Sequence, residues 1–209
     1  LEERRSRVDN DRTLVSVFVN RTQFDDPGDF TGYPRTLAED LRMLENHGAD
    51  FVLVPTDEQL YPDRYAYRVS ETGLSRTLEG ACRPGHFDGV LTVVLKLLLL
   101  AAAERAYFGE KDWQQLMLVR GLVDAFFVPT VIVGCPTVRE DDGLAMSSRN
   151  RRLPPADRAR AARLQQVLRT AAPAEAIADT LASEGFAVDY VEDWGNRRVP
   201  AVRLNGLRL

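Results

Sequence analysis

Four stretches of this sequence gather side chains that could hold a charged ligand: Asn20 to Phe24 (NRTQF), Glu79 to Phe87 (EGACRPGHF), Phe108 to Gln115 (FGEKDWQQ) and Met146 to Asn150 (MSSRN). Each sets polar groups beside the end of a predicted strand. Together they offer Lys111, Arg83 and Arg149 for negative charge, Ser147 and Ser148 as hydroxyl donors, the amides of Gln23 and Gln115, and the imidazole of His86. That inventory suits a polyphosphate together with a small polar acid. The third stretch is the most specific. Arg105 to Phe108 reads as a buried strand, Gly109 breaks it, and Leu116, Val119, Val123 and Phe126 mark a helix that opens at Asp112. Asp112-x-x-Gln115 has the form of a capping box. The free N–H groups at such a helix start favour a phosphate, and Lys111 adds a full positive charge.

Each group also has a purely structural reading. Gln23 and Gln115 could cap backbone groups, His86 in Pro-Gly-His-Phe could be a satisfied loop histidine, and Ser147-Ser148 could be an N-cap. Only His47 and His86 are available as imidazole ligands, so no zinc-type spacing exists, and no Gly-x-Gly-x-x-Gly or Walker pattern occurs.

The elements that must position these groups alternate. Leu14 to Val19 reads as a buried strand, followed by a long polar loop from Asn20 to Tyr33. Thr36-x-x-Glu39 repeats the capping-box form ahead of a helix with Leu37, Leu41 and Leu44 on one face and Gly48 as its stop. Phe51 to Val54 is a second strand. Residues 57–89 read as irregular, and a helix with Val90, Val93, Val94, Leu97 and Leu98 facing the core follows. Thr130 to Val133 is a fourth strand. Strands alternating with helices, without hairpin signals, predict an α/β fold, a Rossmann-like doubly wound parallel sheet in which loops leaving one end of the strands converge on a crevice.

After Val138 the character changes, so the expected division is a domain over residues 1–138 and a small α+β lobe over 139–209. The second begins with an acidic turn, Glu140 to Gly143, and continues through helices at Ala156 to Ala171 and Ala174 to Glu184. Short strands are expected at Val188 to Val191 and Val199 to Leu209, with a turn near Gly195-Asn196, and Arg158, Arg160 and Arg163 read as a solvated face.

Composition bounds the partners. A net charge of -4 over 209 residues supplies no global basic field for nucleic acid. The longest apolar run, Val93 to Ala103, is interrupted by Lys96 and is too short to span a bilayer, and no signal-peptide pattern is visible. Two cysteines, Cys82 and Cys135, give no disulfide framework and fit a reducing cytoplasm.

Five colinear motifs carry a resemblance: SVFVNRTQF (16–24), YPRTLAEDL (33–41), LEGACRPGHFDGV (78–90), AYFGEKDWQQL (106–116) and VREDDGLAMSSRN (138–150), with a looser match in GFAVDYVE (185–192) and VRLNGLRL. In this order and spacing the chain resembles the pantothenate synthetases (pantoate–β-alanine ligases). The resemblance implies an ATP-dependent, Mg²⁺-assisted condensation of (R)-pantoate with β-alanine through a pantoyl adenylate, releasing AMP and pyrophosphate, in a cytoplasmic homodimer. It places Gln23 and Gln115 on pantoate, with Gln23 also near β-alanine. Gly109, Glu110, Lys111 and Asp112 would line the ATP site, the backbone of Val138 would touch adenine, and Met146, Ser147, Ser148 and Arg149 would close over the phosphates. Lys111 and Arg149 would act on the reacting phosphate, and Asn20, Arg83 and His86 are further candidate substrate contacts. Two other readings stay open: a truncated, inactive nucleotide-binding or dimerisation remnant, and a nucleotidyltransferase with another acceptor.

The sequence departs from the family in places. The chain begins with Leu, and the family's two-histidine turn of the form PTMGxLHxGH is absent, so the expectation is a piece of a longer enzyme in which that turn and its central strand precede Leu1. Loss of an internal strand is expected to leave two unpaired edges in mid-sheet. The end at Leu209 falls short of the family's usual Ile-Asp-Asn, and LLLLAAAERAY (97–107) lacks the polar loop expected between helix and strand.

Overall fold

The computed structural model describes residues 11–25, 27–33 and 35–209. It divides into two units, one running to Pro136 and the other from Thr137 to Leu209. Of residues 1–12, which read from sequence as the tail of a helix, 1–10 lie outside the described residues, as does Pro34 of the second motif.

The first unit is α/β. Strand β1 (Leu14–Ser16) pairs in parallel with β2 (Phe51–Leu53), and β3 (Arg105–Gly109) pairs in parallel with β4 (Val131–Cys135). The four parallel strands therefore form two separate ladders, and no strand among the described residues joins them. The strands are less buried than their apolar composition predicts: Leu14, Phe51 and Val131 are 45%, 57% and 62% exposed. A strand with a ladder on only one edge has no neighbour on the other to cover its side chains.

Helices pack on these ladders. They are α1 (Pro27–Thr31), α2 (Leu37–His47), α3 (Asp57–Leu60), α4 (Glu79–Cys82), α5 (His86–Ala101) and α6 (Trp113–Ala125). The core forms where α5 meets α6. Phe87, Val90 and Leu91 recur at helical spacing and meet Leu118 and Leu122, while Leu98 packs on Val123 and Val128. Each such side chain contributes about 1.5–3 kcal/mol by leaving water. The helix expected from Val90 starts at His86, and residues 57–82 hold α3, α4 and a 3₁₀ turn at Leu74–Arg76 rather than irregular chain. The genuine capping box lies in this segment, where Thr56 Oγ1 accepts from Gln59 N–H and Gln59 Oε1 accepts from Thr56 N–H. The two boxes expected from sequence do not form. Asp112 makes no side-chain cap, and Thr36 Oγ1 donates to Asp40 at 3.2 Å instead. Of the stripe Leu37, Leu41 and Leu44 on α2, Leu44 alone is buried, and Gly48 ends the helix in the left-handed region as expected.

The second unit packs α7 (Pro155–Ala161), α8 (Arg163–Leu168) and α9 (Ala174–Ser183) on an antiparallel sheet of β5 (Ala187–Trp194), β6 (Arg197–Leu204) and β7 (Leu207–Arg208). Its core holds Ala161, Leu164, Ile177, Leu181, Val202 and Leu204. The single helix expected over 156–171 breaks at Ala162, and the strand expected over 199–209 is interrupted by a turn at Asn205-Gly206. Both turn residues have positive φ (48° and 79°), the conformation for which Asn-Gly is favoured in two-residue hairpins. The arginine face is paired: Arg158 with Asp142, Arg160 with Asp157, and Arg163 with Glu184. No helix among the described residues is long and apolar enough to cross a membrane.

Candidate active site

Directly after β1 the chain turns through a short 3₁₀ helix, Arg21–Gln23, capped by Asn20. Asn20 is 2% exposed and fully occupied. Its Oδ1 accepts from the hydroxyls of Tyr61 (2.8 Å) and Thr22 (3.0 Å), and its Nδ2 donates to the Gly89 carbonyl (3.1 Å) and to Gln23 Oε1 (3.3 Å). With its oxygen held by Asn20, Gln23 keeps its NH₂ as the group to offer a ligand, a donor suited to carboxylate or hydroxyl oxygen. The turn can sit this close to α5 because residue 89 is glycine.

The backbone of Gln23 is held from the other side. Its carbonyl accepts from His86 Nδ1 at 2.6 Å and from Arg83 Nη2 at 3.3 Å. A carbonyl only accepts, so His86 carries its proton on Nδ1; Nε2 then takes a hydrogen from Arg83 Nη1 at 3.3 Å. The imidazole is thus neutral. Burial, and then the adjacent Arg83 charge, hold its pKa below the ordinary value. Arg83 also bonds Asp25 (2.7 Å) and Glu79 (3.1 Å). Burial pushes the Asp25 carboxyl up, but the hydrogen bond and charge of Arg83 prevail and hold it below its ordinary value. Asn20, Gln23, Arg83 and His86 are therefore one cluster, tied together largely by its own hydrogen bonds.

At the end of β3, Gly109 precedes a 3₁₀ turn, Glu110–Asp112, that leads into α6. Lys111 is exposed and lies 3.7 Å from Asp112 Oδ1. Glu110 runs beside β4, where a side chain at Gly134 would meet its carboxylate at 3.3 Å. Gln115 stands on the first turn of α6, partly exposed. Its neighbour Gln114, which sequence reasoning passed over, is buried and saturated, donating to the carbonyls of Leu74 and Thr77 and accepting from the Glu79 N–H. A buried amide on a helix that otherwise buries leucine and valine is the signal that marks it.

In the second unit, Val138 and Met146 face each other across the acidic turn, with the Val138 carbonyl accepting from the Met146 N–H at 2.9 Å. Ser147 caps the 3₁₀ helix Ser148–Arg152 by accepting from the Arg149 N–H at 3.3 Å, and Asn150 ties the loop back to the Ala145 carbonyl. Met146 and Ser148 are exposed. No cluster of three or more His, Cys, Asp or Glu side chains able to hold a metal occurs among the described residues.

Parallel ladders with helical crossovers, and polar turns at the carboxyl ends of β1 and β3, define an α/β ligand-binding protein of the doubly wound class. The model of the pantoate-beta-alanine ligase family matches residues 3–202. The pantothenate synthetase of Coxiella burnetii is 50% identical over 205 residues, covering 98% of this chain and 79% of that protein. The crystal structure of the Francisella tularensis ligase, complexed with an ATP compound and β-alanine, superposes with a TM-score of 0.94 at 38% identity over 99% of this chain and 80% of that one. The pantothenate synthetase of Thermus thermophilus gives 0.91 at 40% identity, over 100% of this chain and 85% of that one. The chain belongs to the pantoate–β-alanine ligase family.

Proposed function

We propose that this protein joins (R)-pantoate to β-alanine at the expense of ATP. The observation that carries the reading is the family match across residues 3–202, and the oriented amide of Gln23 agrees with it. A carboxylate becomes an acyl donor only when its oxygen is turned into a leaving group. In the first step a pantoate carboxylate oxygen attacks the α-phosphorus of ATP, the bond to pyrophosphate breaks, and pantoyl adenylate forms. In the second, the β-alanine amine attacks the acyl carbon, the bond to AMP breaks, and the amine proton leaves to solvent. Such chemistry is mostly positioning and charge neutralisation.

In this reading Gln23 and Gln115 hold pantoate, with Gln23 also near β-alanine. Gly109, Glu110, Lys111 and Asp112 line ATP, with Lys111 neutralising phosphate charge as it transfers. The Val138 backbone meets adenine, while Met146, Ser147, Ser148 and Arg149 cover the phosphates. Asn20, Arg83 and His86 act behind Gln23, since their polar groups serve the cluster itself. Mg²⁺ ordinarily binds through substrate phosphates and one or two carboxylates, and Glu110 and Asp112 are the carboxylates at this turn that would hold it. When bound it would neutralise phosphate charge. The family resemblance also supports a cytoplasmic homodimer, which sedimentation equilibrium of the purified protein would test.

The decisive assay is AMP release. It should require pantoate and β-alanine together, whereas pyrophosphate release should need pantoate and ATP only. Equal turnover with unrelated acids in place of pantoate would sink the reading in favour of a nucleotidyltransferase with another acceptor.

A further inference from the structure

Gln114 and Gln115 are adjacent in sequence but serve different surroundings. Gln114 is 7% exposed, and its amide is fully used: Nε2 donates to Leu74 O and Thr77 O, both at 2.8 Å, and Oε1 accepts from Glu79 N–H at 3.0 Å. It straps the segment 74–79 to the first turn of α6. That segment is itself tightly folded, since a β-carbon on Gly80 would stand 1.9 Å from the Ser75 carbonyl oxygen. The Glu71 carboxylate further holds the N–H groups of Gly73 (2.7 Å) and Ser75 (2.6 Å).

The other end of this strap is Arg83, 8% exposed, reached from Glu79 one helical turn away. Its bonds to Asp25, Glu79, His86 and the Gln23 carbonyl engage four of its five N–H groups. A guanidinium so occupied does not bind a substrate carboxylate as a fork, the role its charge suggests from sequence. What remains is a continuous hydrogen-bonded path from the first turn of α6, through Gln114, Glu79 and Arg83, to the backbone of Gln23. Its two ends carry Gln115 and Gln23.

We propose that Gln114 and Arg83 are positioning residues that fix the separation of the Gln23 and Gln115 amides, and so set the fit of the small hydroxy acid bound between them. The proposal rests on the reading of Gln23 and Gln115 as the acid-binding pair. Neither positioning residue touches substrate; each acts by holding backbone whose displacement would misplace an amide.

The test compares steady-state constants of the full-length enzyme with three variants: Gln114→Met, which keeps length but loses all three bonds, Arg83→Lys, which keeps charge but not the fork, and Gln23→Ala as reference. Gln114→Met and Arg83→Lys should each raise KM for pantoate by about tenfold or more, because small misplacements at a reacting pair are costly. KM for ATP should stay within about twofold, the signature of lost acid binding alone. If Gln114→Met does not fold, Arg83→Lys decides the matter by the same split. A rise in pantoate KM with Gln23→Ala but not with either positioning variant overturns the inference and leaves the acid-binding reading standing. So does a parallel rise in both KM values, as a merely structural role would give. No change with Gln23→Ala overturns both.

Discussion

Gly89 on α5 and Thr22 in the turn after β1 approach so closely that a β-carbon on residue 89 would stand 2.3 Å from the Thr22 carbonyl oxygen and 2.7 Å from the Gln23 nitrogen. The atoms it would strike are backbone, which cannot swing aside like the end of a long side chain. Gly89→Ala should therefore push the 3₁₀ turn off α5, breaking the Asn20 Nδ2 bond to the Gly89 carbonyl. We expect destabilisation of about 1–3 kcal/mol, as for other overpacked sites, and a larger proportional loss of pantoate turnover at subsaturating acid. Thermal melts with kinetics would check it; a variant with wild-type pantoate KM would show that the turn does not depend on this contact.

His86 gives the cluster a pH dependence of predictable sign. Its pKa is depressed in the folded state, first by burial and then by Arg83, from an ordinary value near 6.5. Between these values the unfolded chain binds more protons, so stability is fully present above about pH 6.5 and falls as the pH drops toward the folded-state pKa. Asp25, also depressed, adds a separate window below about pH 4, its ordinary range. His86→Asn should retain a donor near the Gln23 carbonyl without the titration. The difference in melting temperature between wild type and variant should shrink from pH 7.5 to 5.5. Parallel curves across that range would refute the assignment.

Much of this was legible in the sequence because the signals were local. Gly109 after an apolar run, and the leucine and valine spacing of residues 116–123, sufficed to place β3 and α6. Gly48 ended a helix where expected. Asn20, Gln23, Arg83 and His86 fell into one cluster, but their division of labour was not legible. Arg83 and His86 look like ligand groups by type, and only their partners reveal that they hold a carbonyl 60 and 63 residues away. Capping boxes were misplaced for a related reason. Thr36-x-x-Glu39 and Thr56-x-x-Gln59 share one pattern, and local backbone geometry decided that only the second closes. Burial of the strand at Leu14 was overread because an apolar strand does not declare how many neighbours it has.

In the second unit, Asp157 is 5% exposed on α7, and the side chain of Asn205, from the positive-φ turn joining β6 to β7, donates to its Oδ2. Arg160 approaches its other oxygen at 3.9 Å. Removing the buried carboxylate severs its bond to Asn205, a residue that itself stands exposed at the surface. Asp157→Ala should cost about 1.5–3 kcal/mol, the usual worth of a hydrogen bond to a charged group. By contrast, Arg163→Ala breaks an ion pair with Glu184 whose arginine is half exposed, and should cost clearly less than Asp157→Ala. Urea unfolding of both variants would compare them; equal effects would mean that the Asp157 contact carries no special weight.

Lys111 offers the cleanest separation of function from stability. It lies on the 3₁₀ turn after β3, its charge near Asp112 at 3.7 Å and open to solvent on the other side. Exposed side chains with one weak partner change stability by less than about 0.5 kcal/mol when truncated. Its proposed work is different in kind, because negative charge that migrates during adenylate formation must be met by a positioned donor. Losing one such donor lowers kcat by about 10²–10³. Lys111→Ala should therefore melt with the wild type while pyrophosphate release falls by that factor. Lys111→Arg should recover only part of the rate, since a planar fork does not reproduce a compact ammonium. A variant that keeps wild-type turnover would move the phosphate-neutralising role off this turn altogether.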